Sequence, residues 1–554
     1  MKISRQNQNA GWIVAALGAA LPSFLGPVYD PDLWWHLSAG RFMAEHVGVA
    51  RFDWLSYTMS GAPWVDFEWI PQAVFYALYT FFGLAGLWVL KIVVLAVVGG
   101  FVWRGLFSER KDDIGARAFF LSLWAAGMVS RCDLRTELFS LAAFAGLLFV
   151  LEKEKREKKR LFGWLGAAGL FALWANCHAG FMYGLVLLAV YESADFYYKE
   201  DRRSLLRPAA AAAATLVNPF GIGVYRVLAS HAADSRTLSS FIDEWGPLSL
   251  SALSHWPAWA AAAVLIFLWS RRFRTGFKLS KNAAALTMSV FVFAGALKHS
   301  RLSAYLAICA AIYGYQMYRT DKELSALLSR GGRMGIGLAL LSATTLLVSG
   351  GGWRLGFFHA RYVPIRAAEF LDRHPELTHL RMYNVWGWGG YLGWRLGTKT
   401  KVFQDGRYLF HPLLAQAGAA AKSSARWSDF LNRHDIQLAL LQNRKARIPF
   451  VRVYPDGSQE VFKRPYYLFY MPKKDWALIY WDEKTLLFVK RSAIGEERMP
   501  ADFELLRPGD EEIVEDAASR GEIDADRLRR EALVHRRQME DLGGILPGPW
   551  ALRL

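Results

Sequence analysis

The densest run of chemistry-bearing residues is Asp30-Pro31-Asp32-Leu33-Trp34-Trp35-His36, where two carboxylates lead into two indoles and an imidazole. A carboxylate beside an aromatic surface can act as a general base on a hydroxyl nucleophile. Paired carboxylates can also hold a divalent cation against a phosphate. Indole faces stack on sugar rings and also favour the membrane–water interface, so an aromatic belt with a helix-capping aspartate fits the same residues, and both readings stand. Further polar groups recur at intervals: Asp53, Asp66 and Glu68; the turn Ser130-Arg131-Cys132-Asp133-Leu134-Arg135-Thr136-Glu137; Asn176 and His178; Asn218; Asp243 and Glu244; Lys298, His299 and Arg301. Arginine forks suit bidentate phosphate binding, although Arg131, Arg135, Lys298 and Arg301 equally fit interfacial snorkelling. His178 equally fits a packed core histidine.

The elements that must position these groups are membrane helices. The chain has 554 residues, 53% hydrophobic and 15% aromatic, with 21% charged, below the ~25% of soluble domains. Apolar stretches lie near 11–27, 84–106, 116–130, 136–151, 161–176, 180–197, 205–217, 255–270, 282–297, 301–318 and 334–350, which reads as about eleven spans. Lysine and arginine concentrate in alternate loops, as in Lys153–Arg160, Lys199–Arg207, Arg271–Lys281 and Arg319–Arg333. That bias puts the N-terminus inside and the polar turns above on the outer face of a cytoplasmic membrane. The net charge of +17 follows this alternation, so no nucleic-acid partner is expected. The run Glu152–Arg160 reads as an inner-face stop signal. Trp69–Phe82, ending before Gly83, reads as an interfacial helix. Cys132, Cys177 and Cys309 form no C-x-x-C, so free thiols are expected rather than a metal site or disulfide framework.

Three regions follow: a membrane domain over 1–350 with a first outer loop at 28–69, an extracytoplasmic α/β domain over 351–500, and a charged, mainly helical tail over 501–554. The fold class is thus mostly α, a polytopic helical membrane domain with an α/β domain after it. In the second region helices are expected at Ile365–His374 and Trp427–Arg433, strands at Leu380–Asn384, Lys401–Gln404 and Ile436–Leu441, and a hairpin from Trp476–Trp481 and Thr485–Lys490. The tail from Asp510 to Asp541 reads as a solvated helix.

The loop-one residues, with Gly40-Arg41, Asp53-Trp54-Leu55-Ser56-Tyr57-Thr58, Trp64-Val65 and Glu68-Trp69, resemble the first outer loop of bacterial GT-C fold glycosyltransferases. These are the multi-pass protein-mannosyltransferase, aminoarabinose-transferase, oligosaccharyltransferase and Rgt-like enzymes. Leu173-Trp174-Ala175-Asn176-Cys177-His178-Ala179-Gly180, Val217-Asn218-Pro219-Phe220-Gly221 and Asp243-Glu244-Trp245 fit the same pattern. So do Tyr383-Asn384-Val385-Trp386-Gly387-Trp388-Gly389-Gly390-Tyr391 and Val402-Phe403-Gln404-Asp405-Gly406-Arg407. The stretch from Tyr383 to Tyr391 is distantly similar to an oligosaccharyltransferase acceptor motif but lacks its aspartate.

The resemblance implies a transferase that moves a sugar or glycan from a polyprenyl-phosphate or -diphosphate carrier to an acceptor outside the cytoplasmic membrane. It implies Asp32, with Asp30 as second candidate, as the acceptor-activating base, and Glu244 as a later-loop acid. Substrate contacts would fall to Trp34, Trp35, His36, Arg131, Arg135, His178, Lys298, Arg301, Trp386, Tyr391, Asp405 and Arg407. Asp133 and Glu137 stand where some relatives carry ligands to a divalent cation, Mg or Mn, at a spacing that departs from D-x-D. Two other classes compete. A transporter would want mid-membrane charges and inverted repeats, which the chain lacks apart from Lys91 and Glu192. A non-catalytic envelope-assembly factor would keep the fold and lose the acids.

Overall fold

The computed structural model describes residue 14 and residues 16–106, 114–329, 333–349, 354, 356–397, 399–453 and 455–543. These divide into two compact units: one of Asp30 and the residues before it, Ala39–Ala50 and Val65–His359, the other of Pro31–Ser38, Arg51–Trp64 and the chain from Ala360 onward. The segment 28–69 is therefore shared. Asp30 folds with the helices, whereas Asp32 folds with the C-terminal unit.

The first unit is helical. Its main elements after helix α1 (Leu33–His46) are α2 (Trp69–Gly105), α3 (Ile114–Met128), α4 (Glu137–Glu157), α5 (Trp164–Ala175), α6 (Phe181–Lys199), α7 (Leu206–Ala214), α8 (Gly223–Phe241), α9 (Trp256–Gly276), α10 (Leu279–Lys298), α11 (Ser303–Thr320), α12 (Lys322–Ser329) and α13 (Arg333–Ser349). α11 is buried along nearly its whole length, against α3, α9 and α10. Gly127 of α3 lets it approach closely, because a Cβ there would collide with that of Ala307, the small-residue contact typical of membrane helices. α2 is two helices joined at Gly83, whose φ of 59° interrupts the helical geometry and which only glycine adopts without strain. The break expected after Phe82 is thus present.

Three described segments are long and apolar enough to cross a membrane: Trp69–Gly105, Leu253–Gly276 and Leu279–Lys298. The remaining expected spans are shorter, as α3 with 15 residues, or carry charge, as α4 and α6 do at Glu152, Glu154 and Glu192. The expected first helix over 11–27 lies partly outside the described residues. Within them the chain turns at Ala19-Ala20 and restarts as Leu21–Phe24, because Pro22 has no N–H with which to continue the preceding helix. Between α7 and α9, α8 occupies the middle of the connecting segment.

The charge run at the end of α4 takes part in ion pairs between helices. Arg207 of α7 pairs with Glu154 at 2.9 Å and with Glu192 of α6 at 3.0 Å, and Arg160 reaches Glu192 at 3.2 Å and Asp201 at 2.8 Å. These pairs join three helix ends.

In the second unit a four-stranded sheet runs in the order β1 (Met382–Asn384), β2 (Leu438–Gln442), β6 (Thr485–Lys490), β5 (Trp476–Trp481), with β1 and β2 parallel and the other pairs antiparallel. β5 is buried throughout and β2 and β6 nearly so, as expected of strands covered on both faces. A separate ribbon, β3 (Arg447–Val453) with β4 (Gln459–Pro465), was not expected.

Two expectations need correcting here. Lys401–Gln404 joins no ladder. Asn384 Oδ1 accepts the Phe403 N–H at 2.8 Å, Asn384 Nδ2 donates to Gln404 O at 2.8 Å, and Val402 makes only an isolated bridge to Ser56. The tail is not one solvated helix but two, Glu511–Ser519 and Ala525–Asp541, and the second buries Leu528, Glu531, His535 and Met539. This helix and the segment around Phe503 cover the open edge of β5: Phe503 N, His535 Nε2 and Gln538 Nε2 pair with the carbonyls of Leu478, Trp481 and Ile479. Unpaired edges invite association with other chains.

Candidate active site

In the helical unit, the turn between α3 and α4 gathers the charges that the sequence scatters. Arg131 ends a 3-10 turn (Val129–Arg131) and donates through Nη1 to Glu244 Oε2 and through Nη2 to Glu137 Oε2. Arg135 donates through Nη1 to the same Glu244 oxygen at 2.6 Å and through Nε to Asp30 Oδ2. Glu244 lies on a short turn, Asp243–Trp245, fixed by the end of α10: Ser300 N donates to Gly246 O at 2.8 Å, and His299 Nδ1 lies 2.8 Å from Trp245 O. Arg301 places its guanidinium 5.1 Å from the Trp245 ring centre, a cation–π contact. Burial alone would push the Glu244 carboxyl up, but Arg131, Arg135 and Arg301 outweigh it and hold the group well below the ordinary carboxylate range.

Glu68, just before α2, borders this cluster. Its Oε1 accepts from Thr136 Oγ1 at 2.7 Å and lies 3.9 Å from His178 Nε2. Burial raises its pKa to about 7 against the lowering hydrogen bond. His178 is packed and bonded. Its Nδ1 is 3.0 Å from Ser140 Oγ and accepts the Gly180 N–H at 3.0 Å, and burial lowers its pKa to about 4, leaving a neutral ring. Asn176 is a staple, joining the Trp69 indole N–H at 2.6 Å to the carbonyls of Ala172 and Val217.

Asp133 faces Lys91. The fully buried Lys91 Nζ lies 3.8 Å from Asp133 Oδ1 and donates to Gly26 O at 2.8 Å, while Asp133 Oδ2 accepts the Tyr29 N–H at 3.0 Å. The pair thereby holds the segment leading into Asp30. Lys298 is exposed and, among the described residues, belongs to no ion pair.

In the C-terminal unit, Asp32 at the start of α1 lies against Gly406. A Cβ there would collide with Asp32 Oδ1 and stand 3.1 Å from Trp35 Nε1, so only glycine admits both groups. Trp34 meets Tyr391 edge-on at 5.0 Å, Trp35 lies 3.6 Å from the His36 ring, and Trp386 stacks on His411 at 5.7 Å. Asp405 and Arg407 are turned inward. Arg407 Nη2 donates to Asp405 Oδ2 at 2.7 Å and Asp53 Oδ1 at 2.5 Å, and its guanidinium lies 4.8 Å from the Trp64 ring. With 0% and 2% exposure respectively, these two residues lock the 51–64 segment onto residues 405–407.

The acids expected to hold a divalent cation do not fit one. Glu137 is taken by Arg131, and Asp133 by Lys91 and a backbone N–H. Among the described residues no three His, Cys, Asp or Glu side chains are grouped so as to hold a metal ion. The three cysteines are free thiols.

This architecture is the GT-C fold of membrane glycosyltransferases. The archaeal oligosaccharyltransferase AglB from Archaeoglobus fulgidus, in complex with an inhibitory peptide and a dolichol-phosphate, aligns with a TM-score of 0.51 at 11% identity, over 83% of this chain and 74% of its own. The Archaeoglobus fulgidus oligosaccharyltransferase in complex with Zn and sulfate aligns at 0.53 and 12% identity, over 85% and 78%. ArnT from Cupriavidus metallidurans bound to undecaprenyl phosphate aligns at 0.48 and 12%, over 89% and 99%. At these identities the likeness is one of fold. No protein-family model matches the chain, and no curated protein matches it.

Proposed function

We propose that the protein is a glycosyltransferase of the cytoplasmic membrane that moves a sugar or glycan from a polyprenyl-phosphate or -diphosphate donor to an extracytoplasmic lipid, polysaccharide or protein. The observation that carries this reading is the gathering of Arg131, Arg135 and Arg301 with Glu137, Glu244 and Asp30 from four separate turns, on a fold shared with oligosaccharyltransferases. A lipid-linked donor needs its tail in the bilayer and its anionic head at the boundary. Guanidinia suit that head, because they stay charged and offer forked donors to phosphate oxygens.

In the reaction, Asp32 accepts the proton of the acceptor's hydroxyl as its oxygen attacks the anomeric carbon. The bond from that carbon to the phosphate oxygen breaks, and the lipid phosphate leaves with the electron pair. The arginines neutralise the charge that develops on the leaving phosphate, the kind of preorganised electrostatics that lowers such barriers most. Trp34 and Trp35 offer apolar faces for sugar rings.

Undecaprenyl phosphate titrated into the purified protein in nanodiscs tests the donor end. Arg135→Gln, at a partly exposed position, is expected to weaken binding roughly tenfold, about 1.4 kcal/mol, with Asp32→Asn unchanged. Equal binding by wild type and Arg135→Gln would remove the arginine cluster from donor recognition.

A further inference from the structure

Glu137 and Glu244 are the kind of acids that a divalent cation would bridge, and they come from elements far apart in the chain. They meet instead on one guanidinium, with Arg131 giving one amino group to each. Arg135 then links the same Glu244 oxygen to Asp30. With Arg301, whose field acts on both glutamates, three carboxylates are met by three guanidinia.

A cation such as Mg needs near-octahedral oxygen ligands at about 2.0–2.1 Å, and so carboxylate lone pairs that nothing else occupies. Here the competing cation is part of the chain, permanently charged and planar enough to serve two carboxylates at once. Admitting a metal would mean expelling Arg131, a side chain only 8% exposed, and leaving its charge uncompensated, which is costly. Arg131 Nε is itself buried with no hydrogen-bond partner among the described residues. An unmet buried donor calls for an acceptor, and beside a surplus of N–H groups an anionic oxygen is the fitting one.

We infer that Arg131 stands in the place of a divalent cation. It bridges the acids that would have been metal ligands and presents a donor to the phosphate, so the protein binds its donor without a metal. This rests on the transferase reading for the identity of the phosphate, but not for the absence of the metal.

Two measurements test it. In the first, Mn2+ is titrated into chelator-treated protein in detergent and followed by electron paramagnetic resonance, which needs no turnover. Wild type is expected to bind none up to about 1 mM, the weak end of protein divalent sites. Arg131→Met, which frees Glu137 and leaves Glu244 bonded to Arg135, is expected to bind one Mn2+ per chain and to lose it again when Glu137→Gln is added. Stoichiometric Mn2+ on wild type that Glu137→Gln removes overturns the inference, and so does a folded Arg131→Met that binds none. If Arg131→Met does not fold, the wild-type titration still decides.

In the second, binding of undecaprenyl phosphate to wild type is measured with and without EDTA, and the two curves are expected to coincide. Loss of binding in EDTA overturns the inference. Metal-free protein that never binds the lipid, with or without EDTA, instead counts against the transferase reading.

Discussion

Burial against the Thr136 hydrogen bond pushes the Glu68 carboxyl up to about 7. Because the folded state binds this proton more tightly than the unfolded one, its contribution to stability is complete below the unfolded value near 4.5 and is lost as pH rises through 7. Discounted for partial exposure, that is roughly 2 kcal/mol. Thermal unfolding in detergent from pH 5 to 8 is expected to show wild type losing stability across this window and Glu68→Gln losing little. Equal slopes would place the Glu68 carboxyl in ordinary solvent. Sequence reading found Glu68 only as one loop acid among several. Its partners Thr136 and His178 lie far along the chain, and no local spacing announces them. The same holds for Arg407: its pairing with Asp405 is visible in the chain, but the second carboxylate, Asp53, belongs to a segment hundreds of residues earlier, so a buried lock looked like a ligand-facing pair.

At the scale of elements, α2 and the turn before α4 hold the segment leading into Asp30 through the buried pair Lys91 and Asp133. Breaking one side of such a pair leaves an uncompensated charge and costs about 3–5 kcal/mol. Lys91→Met is expected to lose that much and to expose residues 23–29 to protease. Lys91→Met with Asp133→Asn should recover most of the stability. If Lys91→Met matches wild type in unfolding and cleavage, the pair is not what fixes the loop. In sequence Lys91 is merely an exception inside an apolar stretch, because a lysine that donates to three carbonyls beside one acid carries no periodic signature. Elements with a local signal were legible: the Gly83 break, the helix after Pro364, and the hairpin Trp476–Trp481 with Thr485–Lys490 all stand where expected. The β3–β4 ribbon was not, since Pro449 and alternating charges obscure its strand character.

Across the whole molecule, the polar tail is an edge cover rather than a free appendage. Met539 is fully buried and Arg537 exposed on the same helix. Met539→Ala is therefore expected to cost about 2–3 kcal/mol, and Arg537→Ala less than about 0.5 kcal/mol, by thermal unfolding of the purified chain. Equal effects would return the tail to solvent. Composition showed a charged helical segment but not its partner, because the buried face is narrow and mixed: Leu528, Glu531, His535, Met539. Asp30 and Asp32, separated in sequence only by Pro31 and alike in chemistry, fold with different units. Sequence could not foretell that division, and it separates their roles, with Asp30 in the arginine cluster and Asp32 against Gly406 beside the indoles.

The most direct test of glycosyl transfer is complementation of a deletion strain with wild type, Asp32→Asn and Asp30→Asn at matched membrane levels. Mass spectrometry would read surface glycans, lipid-linked sugars and extracytoplasmic proteins. The account predicts that the deletion loses one sugar-bearing species, that wild type restores it, and that Asp32→Asn leaves it absent while its lipid-linked precursor accumulates. Full restoration by Asp32→Asn, or a deletion that changes no glycan while the protein is expressed, would contradict it.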